Sequence, residues 1–218
     1  MNLVLEGING SGKTTIINEM RSDLDKRNIG YTYVSDLKYD TPLKPVLEMM
    51  VKDSVFAELK KEFKTSIFES LVFAANHHYI QEQLRNEKGL VLYDRDYISI
   101  LGYQKDIIKK EYADVDWEKF YNAFREVVLF QLKQTDLLVY VSVPTEENIR
   151  RTEQRDKRIC SSEERAMFEA LKNNMENEVY VAEHELAIPT IYLDGREDPK
   201  KNVDAIKTKV LKIGGLNV

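Results

Sequence analysis

The chain has 218 residues, 43% of them hydrophobic, and a formal net charge of −5. That length and composition suit one α/β domain with a buried core and exclude a disordered polymer. The negative balance gives no general electrostatic case for a nucleic-acid polymer, the single cysteine, Cys160, forbids an internal disulfide, and no apolar run approaches the roughly 18 residues of a membrane span.

Leu3-Val4-Leu5 reads as a buried first strand. It begins so near Met1 that a signal peptide has no room, and with one cysteine the expected compartment is the cytoplasm. A helix is expected from about Lys13 to Arg27, because Ile16, Ile17, Met20 and Leu24 recur at helical spacing. Asn28-Ile29-Gly30 stops it, with Gly30 suited to a left-handed cap. Tyr31–Ser35 is the second strand; a polar loop leads to Pro42, placed to open a helix through about Lys52. A long helical region follows over about Val55–Arg85, with Leu59, Phe63, Ile67, Leu71 and Ala75 in steps of four.

Leu90–Tyr93 is the third strand and ends in Asp94-Arg95-Asp96. The next helix turns Ile98, Leu101 and Ile108 inward, and Asp114-Val115-Asp116 caps another from about Trp117 to Lys133. Leu137–Val143 is a strongly apolar fourth strand. Pro144–Glu147 opens a helix into the basic run Arg150–Arg158, and Ser161–Glu164 starts a long helix to about Glu185. Thr190–Leu193 is the fifth strand, and Pro199 opens the last helix after the loop Asp194–Asp198. Strands separated by helices predict a parallel sheet covered on both faces.

Between the first strand and first helix lies Gly7-x-x-x-x-Gly12-Lys13-Thr14, a full match to G-x-x-x-x-G-K-S/T. Glycines let such a loop turn its backbone N–H groups toward phosphate oxygens, and the helix N-terminus adds partial positive charge. Lys13 then reaches the β- and γ-phosphates of ATP, and the Thr14 hydroxyl binds Mg²⁺. A glycine-rich turn that binds nothing is the bland alternative; the strand–loop–helix context weighs against it. Asp94 and Arg95 sit at the C-terminal end of a strand expected beside the first, the edge where open α/β sheets bind ligands. Arg95 offers a planar fork of donors for an acceptor phosphate, and Asp94 a carboxylate for Mg²⁺ or for orienting the acceptor.

Four segments together resemble the thymidylate kinases, within the P-loop nucleoside monophosphate kinases. EGINGSGKTT is similar to E-G-x-D/E-G-x-G-K-S/T-T, and LVFAANHHYIQEQL (71–84) to L-L-F-A/S-A-D/N-R, the helix segment that holds the thymine. DRDYISILGYQ (94–104) is similar to D-R-Y-x-x-S-x-x-A/G-Y/F-Q, and TDLLVYVSVPTEENIRR (135–151) to P-D-L-x-x-x-L-x-V-x-P-E-E-x-x-x-R. The resemblance implies a single domain over residues 1–218, a three-layer fold with a five-stranded parallel sheet ordered 2-3-1-4-5, a short basic lid within about 150–163, and a homodimer. It implies phosphoryl transfer from ATP, with Mg²⁺, to a pyrimidine deoxynucleoside monophosphate, dTMP to dTDP.

Residue by residue, Asn9, Gly10, Ser11, Gly12, Lys13, Thr14 and Thr15 would surround the ATP phosphates, with Arg150 or Arg151 against the adenine. The Gly195-Arg196 loop would border the same base. No arginine occupies the phosphate loop, so the lid must supply the one that meets the transferring group, Arg155 or Arg158. Such a charge run is more often a solvated helix face. On the acceptor side Phe73 matches the residue that stacks on thymine, His77 the base reader, Tyr103 the aromatic against the deoxyribose, and Gln104 follows as in the pattern. Ser99 and Tyr97 are expected to support the loop. Metal ligation falls to Thr14 and Asp94.

Four positions depart from the family pattern, all on the acceptor side: Asn9 replaces an acidic residue, His77 an arginine and Asp96 a tyrosine, and the arginine that usually precedes the Thr-Pro segment is absent, leaving Lys38 and then Lys44 as the nearest cations. They keep open a kinase for a modified pyrimidine nucleotide, or a deoxynucleoside kinase that phosphorylates a free 5′-hydroxyl, for which Asp96 would be a candidate base. A nucleotide-driven switch is disfavoured because no D-x-x-G segment follows a strand, and an inactive binding module because Lys13, Thr14, Asp94 and Arg95 are all present.

Overall fold

The computed structural model describes residues 1–35, 39–52 and 63–213. Five strands alternate with eight helices among these residues: β1 (Asn2–Glu6), α1 (Lys13–Lys26), β2 (Tyr31–Ser35), α2 (Lys44–Lys52), α3 (Ser66–Leu84), β3 (Leu90–Asp94), α4 (Tyr97–Glu111), α5 (Trp117–Leu132), β4 (Leu137–Ser142), α6 (Thr145–Asp156), α7 (Ser162–His184), β5 (Thr190–Asp194) and α8 (Pro199–Lys212). The strands form one parallel sheet ordered β2-β3-β1-β4-β5, as the resemblance implied. β1 is central: Leu3 pairs with Leu92 on one side and Leu137 on the other.

Alternation along β1 sends side chains to opposite faces of the sheet. Val4 joins a cluster with Val91, Leu138, Ile98, Leu101 and Met175, under α4 and α7. Leu3 and Leu5 join Ile16, Met20, Leu24, Ile206 and Val210, under α1 and α8. Both faces are covered, which is why the central strands read as unbroken apolar runs.

Three helix starts follow their local chemistry. Asp116 accepts from the Lys119 N–H at 3.3 Å to cap α5. Ser161 and Glu164 close a reciprocal capping box on α7. Asp198 accepts from the Lys200 N–H at 2.9 Å, with Pro199 in the first turn of α8.

Three local expectations change. The left-handed residue after α1 is Asn28, at φ 53°, rather than Gly30, because an asparagine tolerates that region and the turn closes two residues earlier. Pro42 lies in the turn before α2, which begins at Lys44. The apolar steps of four through α3 do not mark its buried face: Phe63 and Leu71 are exposed, whereas Ser70, Asn76, His77, Ile80 and Gln81 are buried. That buried face packs toward polar groups at the end of β3, so hydrophobic spacing misses it. The part of this helical region over residues 53–62 lies outside the described residues, as does Lys38.

Candidate active site

The loop between β1 and α1 is shaped by what surrounds it. Gly10 has φ 78°, and a Cβ there would come within 2.6 Å of the Asn148 carbonyl oxygen at the start of α6. Gly12, at φ 102°, occupies the N-cap of α1, where no side chain caps the helix. The Thr15 and Ile16 N–H groups turn back to Gly12 O, at 3.1 and 3.2 Å, and the N–H groups ahead of them, with the positive end of the helix dipole, belong to the space in front of the loop.

That space is a cleft of about 540 Å³, lined by Asn9, Gly10, Ser11, Gly12, Lys13, Thr14 and Thr15, and by Asp94, Arg95, Arg151, Arg155 and Gly195 from other elements. It lies at the C-terminal edge of the sheet, where β1 and β3 run side by side. Lys13 is folded back along the loop, its Nζ donating to Gly7 O at 2.5 Å and Ile8 O at 3.2 Å. Burial, reinforced by the nearby Arg95 charge, pulls its ammonium down to about 7. A polyanion reverses that balance by supplying opposite charge.

Arg95 follows β3 and has φ 74°, an unusual conformation for a residue with a Cβ. Its N–H donates to Leu5 O at 3.0 Å, which carries the sheet pairing one residue beyond the strand. The guanidinium donates to Asn9 Oδ1 at 2.8 Å and to Ser99 Oγ at 3.1 Å, and lies 5.0 Å from the ring centre of Tyr103. Asp94 accepts from the Tyr33 hydroxyl at 3.0 Å. Burial and the Asp94 carboxylate push that phenol up to about 12, so it remains a donor.

Glu6, fully buried at the end of β1, is the site residue that sequence reasoning did not single out. Its carboxylate accepts from Asp96 N–H at 2.8 Å, Ser99 N–H at 3.1 Å and the Ser99 hydroxyl at 2.5 Å. Burial pushes it up to about 7, against the opposing pull of Ser99 and Arg95. A carboxylate ending an apolar central strand was the available cue.

A scan of protein families matches residues 5–194 to thymidylate kinase. The chain belongs to the thymidylate kinase family. It is also similar to a probable thymidylate kinase of Methanobrevibacter smithii, 25% identical over 159 residues that span 72% of this chain and 71% of the relative. Among solved structures it is similar to deoxyadenosine kinase from M. mycoides with bound dATP, at 21% identity and a TM-score of 0.66, covering 97% of this chain and all of that one. A second structure of that kinase, with dCTP bound, gives 22% identity and a TM-score of 0.57 over 97% of this chain. At such identity these structures speak for the fold. The family makes this chain a nucleotide kinase, and none of its helices, among the described residues, is long and apolar enough to cross a membrane.

The structure divides the basic run from Arg150 to Arg158. Arg151 and Arg155 line the cleft; Arg151 donates to Gly195 O at 3.1 Å and Gly10 O at 3.3 Å. Arg150 is turned to Glu147 at 2.6 Å and Arg158 to Glu164 on α7 at 2.7 Å, and neither lines the cleft. The reason is geometric: residues 150 and 151 diverge by about 100° around a helix, and α6 ends at Asp156, before Arg158. Arg196 pairs with Asp194 at 2.6 Å.

Of the described residues expected on the acceptor side, Asn9 and Arg95 line the cleft, and Phe73, Ser99, Tyr103 and Gln104 do not. Ser99 and Tyr103 touch Arg95 as described, Phe73 is half-buried against the core and Gln104 is buried. Two departures from the family pattern meet: His77 Nδ1 lies 3.1 Å from Asp96 Oδ1, both side chains buried. Gln81 reaches the same carboxylate at 3.5 Å. Asp96 is thus engaged behind the loop, not open to the cleft as a base would be. His77 likewise does not line the cleft.

Proposed function

We propose that the enzyme transfers the γ-phosphoryl group of ATP to a pyrimidine deoxynucleoside monophosphate, converting dTMP to dTDP. The observation that carries this reading is one cleft lined by both the phosphate loop and Arg95, with Arg151 and Arg155 of α6 also on its walls. Phosphoryl transfer demands that arrangement: two anions in line and positive charge around the moving group. An acceptor phosphate oxygen attacks the γ-phosphorus, the bond to the β–γ bridging oxygen breaks, and ADP leaves. Lys13 and the loop N–H groups hold the donor phosphates, Arg95 holds the acceptor phosphate, and Arg155 meets the transferring group. The closing segment is the end of α6 and the turn to α7, within about 150–163 of a single domain, and it excludes water.

Thr14, exposed in the cleft, and Asp94 fit Mg²⁺, which takes one or two protein oxygens and completes its shell with phosphates and water. When bound, the ion neutralises charge on the β- and γ-phosphates. We further propose a cytoplasmic homodimer. Phe68, Leu71, Val127 and Phe130 are exposed large apolar residues of α3 and α5, and an apolar groove of about 480 Å³ runs between those helices.

The test offers purified protein Mg-ATP with dTMP, dUMP, dCMP, CMP, thymidine and deoxycytidine, and reads ADP and product. Turnover of dTMP above the others is expected. Turnover of thymidine without dTMP would establish the rival reading, a deoxynucleoside kinase. That rival loses one of its two sequence arguments, since Asp96 faces His77, and keeps the other, the absent acceptor-side arginine.

A further inference from the structure

We propose that Glu6 is a positioning residue for the acceptor: it fixes Arg95 by capping α4 from the central strand and by orienting the Ser99 hydroxyl. The proposal rests on the reading that Arg95 holds the acceptor phosphate.

The geometry is a closed ring. Asp96 is the N-cap of α4, but its side chain caps nothing and faces His77 and Gln81 instead. Glu6 Oε1 takes over, accepting from the N–H groups of Asp96 and Ser99, the N-cap and third positions of the helix. Glu6 Oε2 accepts the Ser99 hydroxyl proton, which leaves the Ser99 oxygen lone pairs free to accept from Arg95 Nη1 at 3.1 Å. The other arm of the guanidinium returns to Asn9, three residues after Glu6. Arg95 is thereby held from both ends of the turn that starts the phosphate loop.

A fully buried carboxylate is a costly way to build a cap that Asp96 could have supplied from its own position. Its placement is explained by what it ties together: the strand leading to the ATP loop, the left-handed Arg95 backbone and the Arg95 guanidinium. One group registers donor and acceptor subsites against each other.

The test is steady-state kinetics on four variants, with dTMP or whichever pyrimidine acceptor the panel above turns over. Glu6→Gln keeps the volume and one oxygen but no longer accepts the Ser99 proton. It should raise KM for the acceptor about tenfold while KM for ATP changes less than about twofold. Ser99→Ala should do the same, and the double variant should be no worse than the larger single effect. Equal losses toward both substrates, or fully additive losses, would overturn the proposal. Should Glu6→Gln not fold, Ser99→Ala decides alone, and an unchanged acceptor KM would count against us. Arg95→Ala separates the two levels. If it leaves the acceptor KM untouched, the underlying reading fails. If it raises that KM while Glu6→Gln and Ser99→Ala do not, only the positioning role fails.

Discussion

Asn9 and Arg95 lie 86 positions apart in the chain and meet at 2.8 Å, so the loop assigned to the ATP phosphates is hydrogen-bonded directly to the arginine assigned to the acceptor. Arg95→Ala should therefore lower kcat/KM for dTMP by about 100-fold or more. Arg95→Lys should not restore it, because a point charge replaces a planar fork that serves Asn9, Ser99 and a phosphate together. Asn9→Ala should cost only about two- to fivefold, since it removes one neutral acceptor and leaves the guanidinium in place. Comparable losses in Asn9→Ala and Arg95→Ala would contradict this ranking.

Lys13→Ala should abolish turnover, by about 1,000-fold, without lowering the melting temperature appreciably. The fold buries this ammonium against two carbonyls at a desolvation cost, so it loses little when the side chain is removed. Near-normal turnover in the variant would place the active site elsewhere.

The two candidate lid arginines separate by position. Arg155→Ala should depress kcat strongly with little change in either KM, the pattern of a contact made in the transition state. Arg158→Ala should leave kcat within about twofold, because its guanidinium is committed to Glu164 on the surface and such exposed pairs contribute little. A reversed ranking would mean that the α6–α7 turn rearranges on closure to bring Arg158 in.

Glu6 makes stability depend on pH in a direction opposite to a salt-bridged carboxylate. Its folded value stands near 7 against an ordinary 4.5, with burial outweighing Ser99 and Arg95. Between those values the folded chain keeps a proton that the unfolded chain has released, so this group's contribution to stability falls as pH rises from about 4.5 to 7 and is level above. Glu6→Gln cannot ionise. The melting temperature of the variant relative to the parent should therefore climb by a few degrees between pH 5 and pH 8. A constant difference across that range would show that Glu6 titrates normally.

The exposed face of α3 and α5 supplies a test of assembly. Val127→Glu and Phe130→Glu place charges on an apolar surface that a second copy would bury, and either should convert a dimer to monomer in sedimentation equilibrium. A parent protein that sediments as a monomer at micromolar concentration would remove the homodimer from the proposal.

Local chemistry written in consecutive residues was legible without any structure. The phosphate loop, the starts of helices at Asp116, Ser161 and Pro199, and the pairing of Asp94-Arg95 with the end of a strand rest on short-range patterns, glycine spacing, apolar period and capping side chains, while the strand order came from the family resemblance. The face that α3 buries was not, because hydrophobic spacing points to Phe63 and Leu71 while the interior takes Asn76 and His77. Nor was the cap of α4, which comes from Glu6 rather than from the adjacent Asp96, or the choice of Arg151 and Arg155 over Arg150 and Arg158 for the cleft. Each of these depends on which partners the fold carries to a buried polar group. A carboxylate or guanidinium out of water must be matched by donors or acceptors, and those arrive from strands and helices distant in the chain. Periodicity reports which side of an element avoids water; only the assembled sheet decides which charges meet there.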